Sequence, residues 1–293
     1  ITTFAVHYFT NTLIQVKIMV NIDKVSFKYG NNTVLNNISI NLTPGNIYGL
    51  LGRNGVGKTT LLKLMGGLIK PQSGSCQIFG ETPFNRSPKF LDNIYYLPED
   101  CFTPEGTIER YVNNRYQFYS KFDLNKFFSI LYEMKIDSKK QFKALSYGDK
   151  KKIMISFALS TNCDLILLDE PTNGLDIPSK SIFRKLLTTY CSDESIIVIS
   201  THQVKDLENI IDPIIIMSNK EILLNHSTYE IGQFFRFNLY SKKISNALYC
   251  QELLGGYLTI EENLDKIESN VNIEALFNGY TENEDAFKSI LKY

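Results

Sequence analysis

The residues best suited to chemistry lie in a glycine-rich stretch near position 55. This stretch matches the phosphate-binding pattern GxxxxGK[ST] in full, as Gly52-Arg53-Asn54-Gly55-Val56-Gly57-Lys58-Thr59. The glycines let backbone N–H groups turn toward phosphate oxygens at places where a side chain would clash. Lys58 would bring a positive charge to those oxygens, and the Thr59 hydroxyl would hold Mg²⁺. The stretch therefore predicts a site for the phosphates of a nucleotide.

Two carboxylates follow a short apolar run later in the chain. Asp169 and Glu170 come directly after Leu165-Ile166-Leu167-Leu168. A carboxylate at the end of a strand in a parallel sheet faces the ligand crevice. There, Asp169 could hold Mg²⁺ through water, and Glu170 could orient and deprotonate an attacking water. Taken alone, the pattern fits equally well a strand that leaves the sheet through a polar Glu-Pro turn.

His202 follows another apolar run, Ile196-Ile197-Val198-Ile199. A single histidine after a strand is most often an ordinary surface residue or a satisfied one. At the end of a strand in the same sheet, however, it could contact the γ-phosphate and so sense hydrolysis.

These residues need particular elements to position them. A phosphate-binding loop requires a strand before it and a helix after it. The apolar run Asn46–Leu51 precedes the loop, and apolar residues at helical spacing follow it, namely Leu61, Leu62, Leu64 and Met65. This context favours the phosphate site over a glycine-rich turn before an ordinary helix.

Strand-like and helix-like segments alternate along much of the chain. Residues 19–41 contain two alternating segments around a turn at 30–32, which predicts an antiparallel hairpin. Buried strands are expected at 164–169 and 195–200, with a helix at 179–190 between them. Residues 104–143 have a helical pattern with many aromatics, including Tyr111, Tyr116, Phe118, Tyr119, Phe127 and Phe128. The alternation indicates an α/β fold with a mostly parallel sheet. Beyond about residue 227 the pattern weakens, which predicts a small separate unit.

Composition excludes several classes of protein. The 293 residues are 43% hydrophobic, and 31 basic side chains balance 31 acidic ones. A core can be buried, and the chain lacks the excess of Lys and Arg that a nucleic-acid partner would need. No apolar run approaches the roughly 20 residues that span a bilayer. The cysteines are odd in number and scattered, which favours reduced thiols over disulfides or a zinc site; they are Cys76, Cys101, Cys163, Cys191 and Cys250.

Taken in chain order, the motifs resemble the nucleotide-binding subunits of ATP-binding cassette (ABC) transporters over about residues 20–225. Residues 145–149 (LSYGD) are similar to the LSGGQ signature, and residues 173–176 (NGLD) to the D-loop. Glu99 stands where the family usually carries the Q-loop glutamine. Tyr29 looks like the aromatic that stacks on adenine.

The resemblance implies a P-loop NTPase core of the ABC ATPase type, with an antiparallel β subdomain and a helical subdomain. The ATPase domain would span residues 19–226, with the helical subdomain at about 104–160, and residues 227–293 would form a small C-terminal α+β domain. Residues 1–18 carry no signal-peptide features and are expected to be an extension without function.

The resemblance also implies ATP and Mg²⁺ as cofactors and assigns roles to residues. Catalysis would rest on Glu170, His202, Lys58 and Glu99. ATP would be bound by Tyr29, Asn54, Gly55, Gly57, Lys58, Thr59, Thr60, Ser146 and Gly148. Mg²⁺ would be held by Thr59, Glu99 and Asp169.

The partners implied are a second ATPase subunit and a separate transmembrane permease, with the protein lying in the cytoplasm on the inner face of the membrane. Two subunits, as a homodimer or a heterodimer, would sandwich two ATP molecules, with Ser146 and Gly148 reaching the ATP of the opposite subunit. The helical subdomain would grip the permease, and only exposed aromatics near Phe102 would meet it. The Tyr95-Tyr96-Leu97-Pro98-Glu99 run with a small C-terminal unit looks like the export-type branch.

Two departures from the family pattern matter. Glu99 replaces a neutral glutamine and adds a carboxylate near Mg²⁺, which it can still ligate. Tyr147 and Asp149 replace a glycine and a glutamine of the signature, which puts the ribose contact in doubt while Ser146 and Gly148 keep the phosphate contact.

Two other functions compete with transport. One is a soluble ABC ATPase without a permease, such as an assembly factor, and membrane association would discriminate it. The other is an ATP-gated interaction module, which would bind ATP and dimerise with negligible hydrolysis.

Overall fold

The computed structural model describes residues 19–100 and 102–291. The predicted extension at 1–18 lies outside the described residues, as does Cys101. The strands are β1 (Val20–Tyr29), β2 (Asn32–Leu42), β3 (Asn46–Leu51), β4 (Ser73–Ile78), β5 (Ile94–Leu97), β6 (Leu165–Asp169), β7 (Ile196–Thr201), β8 (Ile214–Ser218), β9 (Glu221–His226), β10 (Phe235–Tyr240), β11 (Tyr249–Leu253) and β12 (Gly256–Glu262). The α-helices are α1 (Lys58–Met65), α2 (Pro88–Asp92), α3 (Ile108–Asn113), α4 (Leu124–Glu133), α5 (Tyr147–Ser160), α6 (Ile177–Tyr190), α7 (Thr228–Phe234), α8 (Ile273–Glu282) and α9 (Glu284–Leu291).

A six-stranded sheet forms the centre of the molecule, in the order β5-β6-β7-β3-β8-β9. The first five of these strands pair in parallel, and β9 adds antiparallel to β8. Every residue of β6 and β7 is buried, as expected of apolar strands covered on both faces. The predicted mostly parallel sheet is confirmed, and the carboxyl ends of β3, β6 and β7 lie side by side at one edge.

The N-terminal hairpin predicted from residues 19–41 is confirmed. β1 and β2 pair antiparallel around the turn at Gly30, whose φ of 56° suits glycine. A third strand, β4, pairs with the other edge of β1. The sequence did not predict β4, since only Cys76 and Ile78 of its six residues are buried.

The helical segment, residues 104–160 as predicted for the helical subdomain, contains α3, α4 and α5. An aromatic cluster holds these helices together. The fully buried Phe157 of α5 is surrounded by five rings at centroid distances of 4.9–6.3 Å, those of Tyr95, Tyr111, Tyr119, Phe122 and Phe127. Not every aromatic residue near this cluster is buried. Phe118 is 71% exposed and Phe102 is 70% exposed. Phe118 is exposed because it lies in a short 3-10 turn at the surface.

The C-terminal residues form an antiparallel sheet in the order β10-β12-β11, covered by α8 and α9. Phe235, Tyr280 and Phe287 are buried, and their rings contact one another. These residues belong to the same hydrophobic cluster as the helical segment and one face of the central sheet. The C-terminal residues therefore make an apolar contact with the rest of the protein. The domain boundary at 226/227 stays a prediction.

Within residues 19–100 and 102–291, no helix has the length and hydropathy required to cross a membrane. The four described cysteines are free. Burial raises the pKa of the Cys76 and Cys163 thiols to about 12, so both stay protonated and unreactive at neutral pH.

Replacing the central ring of the aromatic cluster should strongly destabilise the protein. We expect Phe157→Ala to lower the free energy of unfolding by about 3–5 kcal/mol, because it leaves a cavity that five rings cannot fill. Urea unfolding followed by circular dichroism measures this. The control is Tyr132→Ala in α4, whose side chain is 85% exposed and should change stability by less than about 0.5 kcal/mol. Equal effects would show that the cluster does not stabilise the helical segment.

Candidate active site

The glycine-rich loop connects β3 to α1, as the sequence predicted, and its backbone depends on glycine. Gly55 and Gly57 have φ of 81° and 115°, in the region that side chains disfavour. A Cβ on Gly57 would lie 2.8 Å from the Val34 carbonyl oxygen. Gly57 precedes α1 as its N-cap, and no side chain caps the helix there. The first amide groups of α1 are thus left for an anion, which the helix dipole also favours.

Lys58 turns back toward the loop. Its ammonium Nζ donates to the carbonyl oxygens of Gly52 (2.7 Å) and Arg53 (3.3 Å) and lies 3.5 Å from Glu170 Oε1. Lys58 is only 6% exposed, so its charge is held beneath the loop by these three oxygens. Thr59 and Thr60 follow it on α1, half-buried and buried respectively, while Asn54 is exposed on the loop.

Glu170 lies just past the end of β6, in a conformation that the neighbouring strand enforces. Its φ is 43°, a left-handed value that costs a non-glycine residue about 1–2 kcal/mol. Its N–H donates to both the carbonyl and the hydroxyl oxygen of Ser200 on β7, each at 3.1 Å. Strained backbone held in this way is typical of functional sites.

The Glu170 carboxylate joins Lys58 to His202. Oε1 lies 2.8 Å from His202 Nδ1 in addition to its contact with Lys58. Glu170 is 3% exposed, and Oε2 is buried without a hydrogen-bond partner among the described residues. A buried, unpartnered carboxylate oxygen is costly unless another molecule completes it. The structure therefore brings together three of the residues predicted for catalysis.

Asp169, the last residue of β6, is fully buried beside Glu170. It accepts a hydrogen bond from the Ser200 hydroxyl, and the Tyr96 hydroxyl lies 3.4 Å from Asp169 Oδ2. Burial and the Asp169 charge raise the pKa of Tyr96 above its usual value, which keeps its hydroxyl proton available for donation. Sequence reasoning missed Ser200 and Tyr96. For Ser200 a signal existed, since a polar residue closes an apolar run two positions before His202.

A second cluster surrounds Glu99, apart from the Lys58–Glu170–His202 contacts. The Glu99 carboxylate accepts from Asn173 Nδ2 at 2.9 Å, and its backbone carbonyl accepts from Tyr147 and Lys151. Gln203 Nε2, next to His202, lies 3.4 Å from Asn173 Oδ1. Asn173 thus lies between the two clusters.

The other predicted binding residues lie further out. Ser146 caps the N-terminus of α5 and accepts a hydrogen bond from the Asp149 N–H at 3.1 Å. Gly148 follows in the first turn, against the Gly174 carbonyl. Tyr29, at the end of β1, is 49% exposed and packs edge-on against Phe27. The structure brings none of these three against Lys58 or Glu170 through a described side-chain contact.

The residues present fit a nucleotide with Mg²⁺. Phosphates would fit the uncapped N-terminus of α1, the buried Lys58 and the glycine backbone of the loop. Mg²⁺ takes oxygen ligands of the kind that the Thr59 hydroxyl and the Asp169 carboxylate provide. The unpartnered Glu170 oxygen indicates that a further group is expected at this point.

Comparison with known proteins agrees with this geometry. The ABC transporter family matches residues 35–173. The chain is 31% identical over 220 residues to the bacitracin transport ATP-binding protein BcrA of Bacillus licheniformis, covering 72% of each chain. It is 32% identical over 194 residues to the Nod factor export ATP-binding protein I of Burkholderia orbicola, covering 64% of each chain. The matched segment spans 72% of the length of BcrA and 64% of the length of the Nod factor protein, so in the second case it covers less than two thirds of the relative.

A solved structure described as an ATP-binding subunit of an ABC transporter has the same fold. It superposes with a TM-score of 0.66 at 23% identity, over 73% of this chain and 91% of that one. The chain belongs to the ABC transporter family, and its fold is that of an ABC ATPase core. The family and fold predicted from the sequence are confirmed.

Removing the buried lysine should weaken nucleotide binding. We expect Lys58→Ala to lower ATP affinity by about 10- to 100-fold, which corresponds to the roughly 1.5–3 kcal/mol of charged hydrogen bonds. Isothermal titration calorimetry measures this, with circular dichroism to check folding because Glu170 loses its partner. Lys63→Ala, in the last turn of the same helix, is the matched control and should leave affinity unchanged. Equal affinity in wild type and Lys58→Ala would remove the loop from nucleotide binding.

Proposed function

We propose that this chain hydrolyses Mg-ATP to drive export through a separate transmembrane permease. The observation that carries the proposal is the buried Glu170 carboxylate beneath the glycine loop, 3.5 Å from Lys58 Nζ and 2.8 Å from His202 Nδ1. A base, a cation and a histidine at the ends of adjacent parallel strands are suited to transfer a phosphoryl group to water.

Each residue of this cluster has a distinct role in the proposed reaction. Lys58 would move from the loop carbonyls onto phosphate oxygens and neutralise their charge. Glu170 Oε1 is engaged by His202, so the unpartnered Oε2 is the oxygen available to orient water and accept its proton. The Glu170 contact fixes the His202 ring through Nδ1, which leaves Nε2 for the γ-phosphate. Gly55, Gly57 and Asn54 would bind phosphates through backbone N–H groups.

Mg²⁺ would be held by Thr59, Asp169 and Glu99. When bound it would neutralise charge on the phosphates. The protein's own contribution is to orient these oxygens: Ser200 and Tyr96 hydrogen-bond Asp169, and Asn173 holds Glu99.

A second ATPase subunit would complete the site, in a homodimer or a heterodimer. Ser146 and Gly148 lie at the N-terminus of the 14-residue helix α5. A helix N-terminus favours an anion, so this end would contact the phosphates of ATP bound to the opposite subunit. Tyr29, half-exposed at the end of β1, would stack on the adenine.

A groove between the central sheet and the helical segment is where the permease would bind. Its volume is about 870 Å³, and Tyr95, Tyr119, Arg115 and Phe118 are among its lining residues. A smaller cavity of about 110 Å³ shares Tyr95 and Arg115 with it and extends to the exposed Phe102. Exposed aromatics in a concave surface are typical of protein interfaces.

The names of the relatives and the charge balance of the chain bear on the direction of transport and on the partners. The Nod factor relative is described as an export protein and BcrA as a bacitracin transport protein, which supports export. With a permease partner, the chain would act peripherally on the inner face of the membrane. Because basic and acidic side chains are equal in number, we propose no nucleic-acid partner.

The test is co-purification from native membranes. We expect a tagged Glu170→Gln protein, which should bind ATP without hydrolysing it, to retain a multi-helix membrane protein in detergent when Mg-ATP is present. Mass spectrometry identifies what is retained. Soluble partners alone, with the protein absent from the membrane fraction, would contradict transport and support a soluble ABC ATPase.

The groove offers a matched pair of variants for the same experiment. Phe118→Glu places a charge on the groove lining and should reduce the retained membrane protein by about tenfold, the effect of losing about 1.4 kcal/mol of binding. Tyr132→Glu, on an exposed part of α4 outside the groove lining, should have no effect. Equal retention by both variants would show that the permease binds elsewhere.

A further inference from the structure

We propose that Tyr147 is a positioning residue that keeps the Glu99 carboxylate on Asn173 and away from the metal of the nucleotide site. The inference rests on the proposed function, because it concerns how this chain regulates Mg-ATP binding. It relates two of the three residues that depart from the family pattern, since Glu99 and Tyr147 contact each other.

The Glu99 backbone is held from one side by α5. The Tyr147 hydroxyl donates to the Glu99 carbonyl oxygen at 3.0 Å, and Lys151 Nζ donates to the same oxygen at 2.5 Å. Tyr147 and Lys151 are one helical turn apart, and the Lys151 side chain is fully buried. Two donors on one carbonyl fix the orientation of the peptide after β5.

The Tyr147 ring is itself held in place by a glycine. A Cβ added to Gly174 would lie 2.5 Å from Tyr147 Cδ1, so the ring packs directly on the Gly174 backbone. Gly148 approaches the same segment, since its Cβ would lie 2.6 Å from the Gly174 carbonyl oxygen. A glycine at position 147 would make neither the ring contact nor the hydroxyl bond.

The side chain of Glu99 then points toward Asn173. Glu99 Oε1 accepts from Asn173 Nδ2 at 2.9 Å, and Asn173 Oδ1 lies 3.4 Å from Gln203 Nε2. Gln203 adjoins His202, which contacts Glu170. In the proposed site Mg²⁺ would draw on the same carboxylate, so the amide of Asn173 and the metal would compete for it.

Release of the carboxylate should therefore strengthen the effect of Mg²⁺ on ATP binding. The readout is the ratio of the dissociation constants for mant-ATP in EDTA and in Mg²⁺, measured by fluorescence in a Glu170→Gln background where nothing is hydrolysed. We expect Tyr147→Phe, which keeps the ring on Gly174, to raise this ratio by about tenfold, and Asn173→Ala to do the same. Tenfold is the lower end of the change in metal affinity that follows when a residue hydrogen-bonded to a metal ligand is replaced.

A second pair of variants separates positioning from general structure. In a Glu99→Gln background the charge to be released is absent, so Tyr147→Phe should leave the ratio unchanged there. The matched control is Tyr132→Phe on the exposed surface of α4, which should not change the ratio in either background.

The outcomes are distinct. No change in the ratio for Tyr147→Phe, or the same change whether or not Glu99→Gln is also present, would overturn the role of Tyr147. If the ratio changes for Asn173→Ala but not for Tyr147→Phe, then Asn173 and Lys151, and not Tyr147, keep the Glu99 carboxylate in place. Absence of mant-ATP binding in the starting protein would contradict the proposed function and, with it, this inference, whereas the outcomes above bear on Tyr147 alone.

Discussion

The site depends on charges that have been taken out of water. Lys58, Asp169 and Glu170 are each 6% exposed or less, and an isolated buried charge is strongly unfavourable. They are tolerated because the parallel strands β3, β6 and β7 end at one edge of the sheet. This brings Lys58 Nζ to 3.5 Å from Glu170 and supplies loop carbonyl partners for Lys58 and the Ser200 hydroxyl for Asp169. The remaining unpartnered oxygen of Glu170 is left for the reaction. The fold thus places the charged groups in an arrangement in which a triphosphate and a water molecule would be their missing partners.

Neighbouring elements bear directly on this edge of the sheet. The short turn Val204–Asp206 follows His202. Asp206 Oδ2 forms a salt bridge with Lys180 Nζ of α6 at 2.6 Å. On its other side, Lys205 lies 3.1 Å from Glu274 of α8, and the buried Val204 belongs to the same hydrophobic cluster as Leu276. The C-terminal helices therefore contact the segment that carries His202.

The sequence predicted those parts of the fold that have a strong local pattern. The strand, glycine loop and helix around Lys58 were predicted as they occur, and the strand before His202 was predicted one residue early. Both strands are apolar and continuous. β4 and β9 were missed because each has few buried residues and forms only by adding to a strand already in place. Their formation depends on tertiary pairing.

The same distinction applies to the site. The meeting of Lys58, Glu170 and His202 follows from strand ends in a parallel sheet, so the sequence could predict it. The Ser200 bond to Asp169 requires the register that pairs these two residues across β6 and β7. The contact between Glu99 and Asn173 joins two loops that are 74 positions apart. No local pattern specifies such a contact, and only the folded chain reveals that the unusual glutamate is already engaged.

The most direct test of the central claim is single-turnover release of phosphate from saturating Mg-ATP, comparing wild type with Glu170→Gln. Glutamine keeps the size of the side chain and its contact with His202 but cannot accept the water's proton. If Glu170 is the base, the rate should fall by about 10²- to 10⁴-fold while ATP remains bound. Equal rates in the two proteins would show that Glu170 is not the base, and the site would need another account.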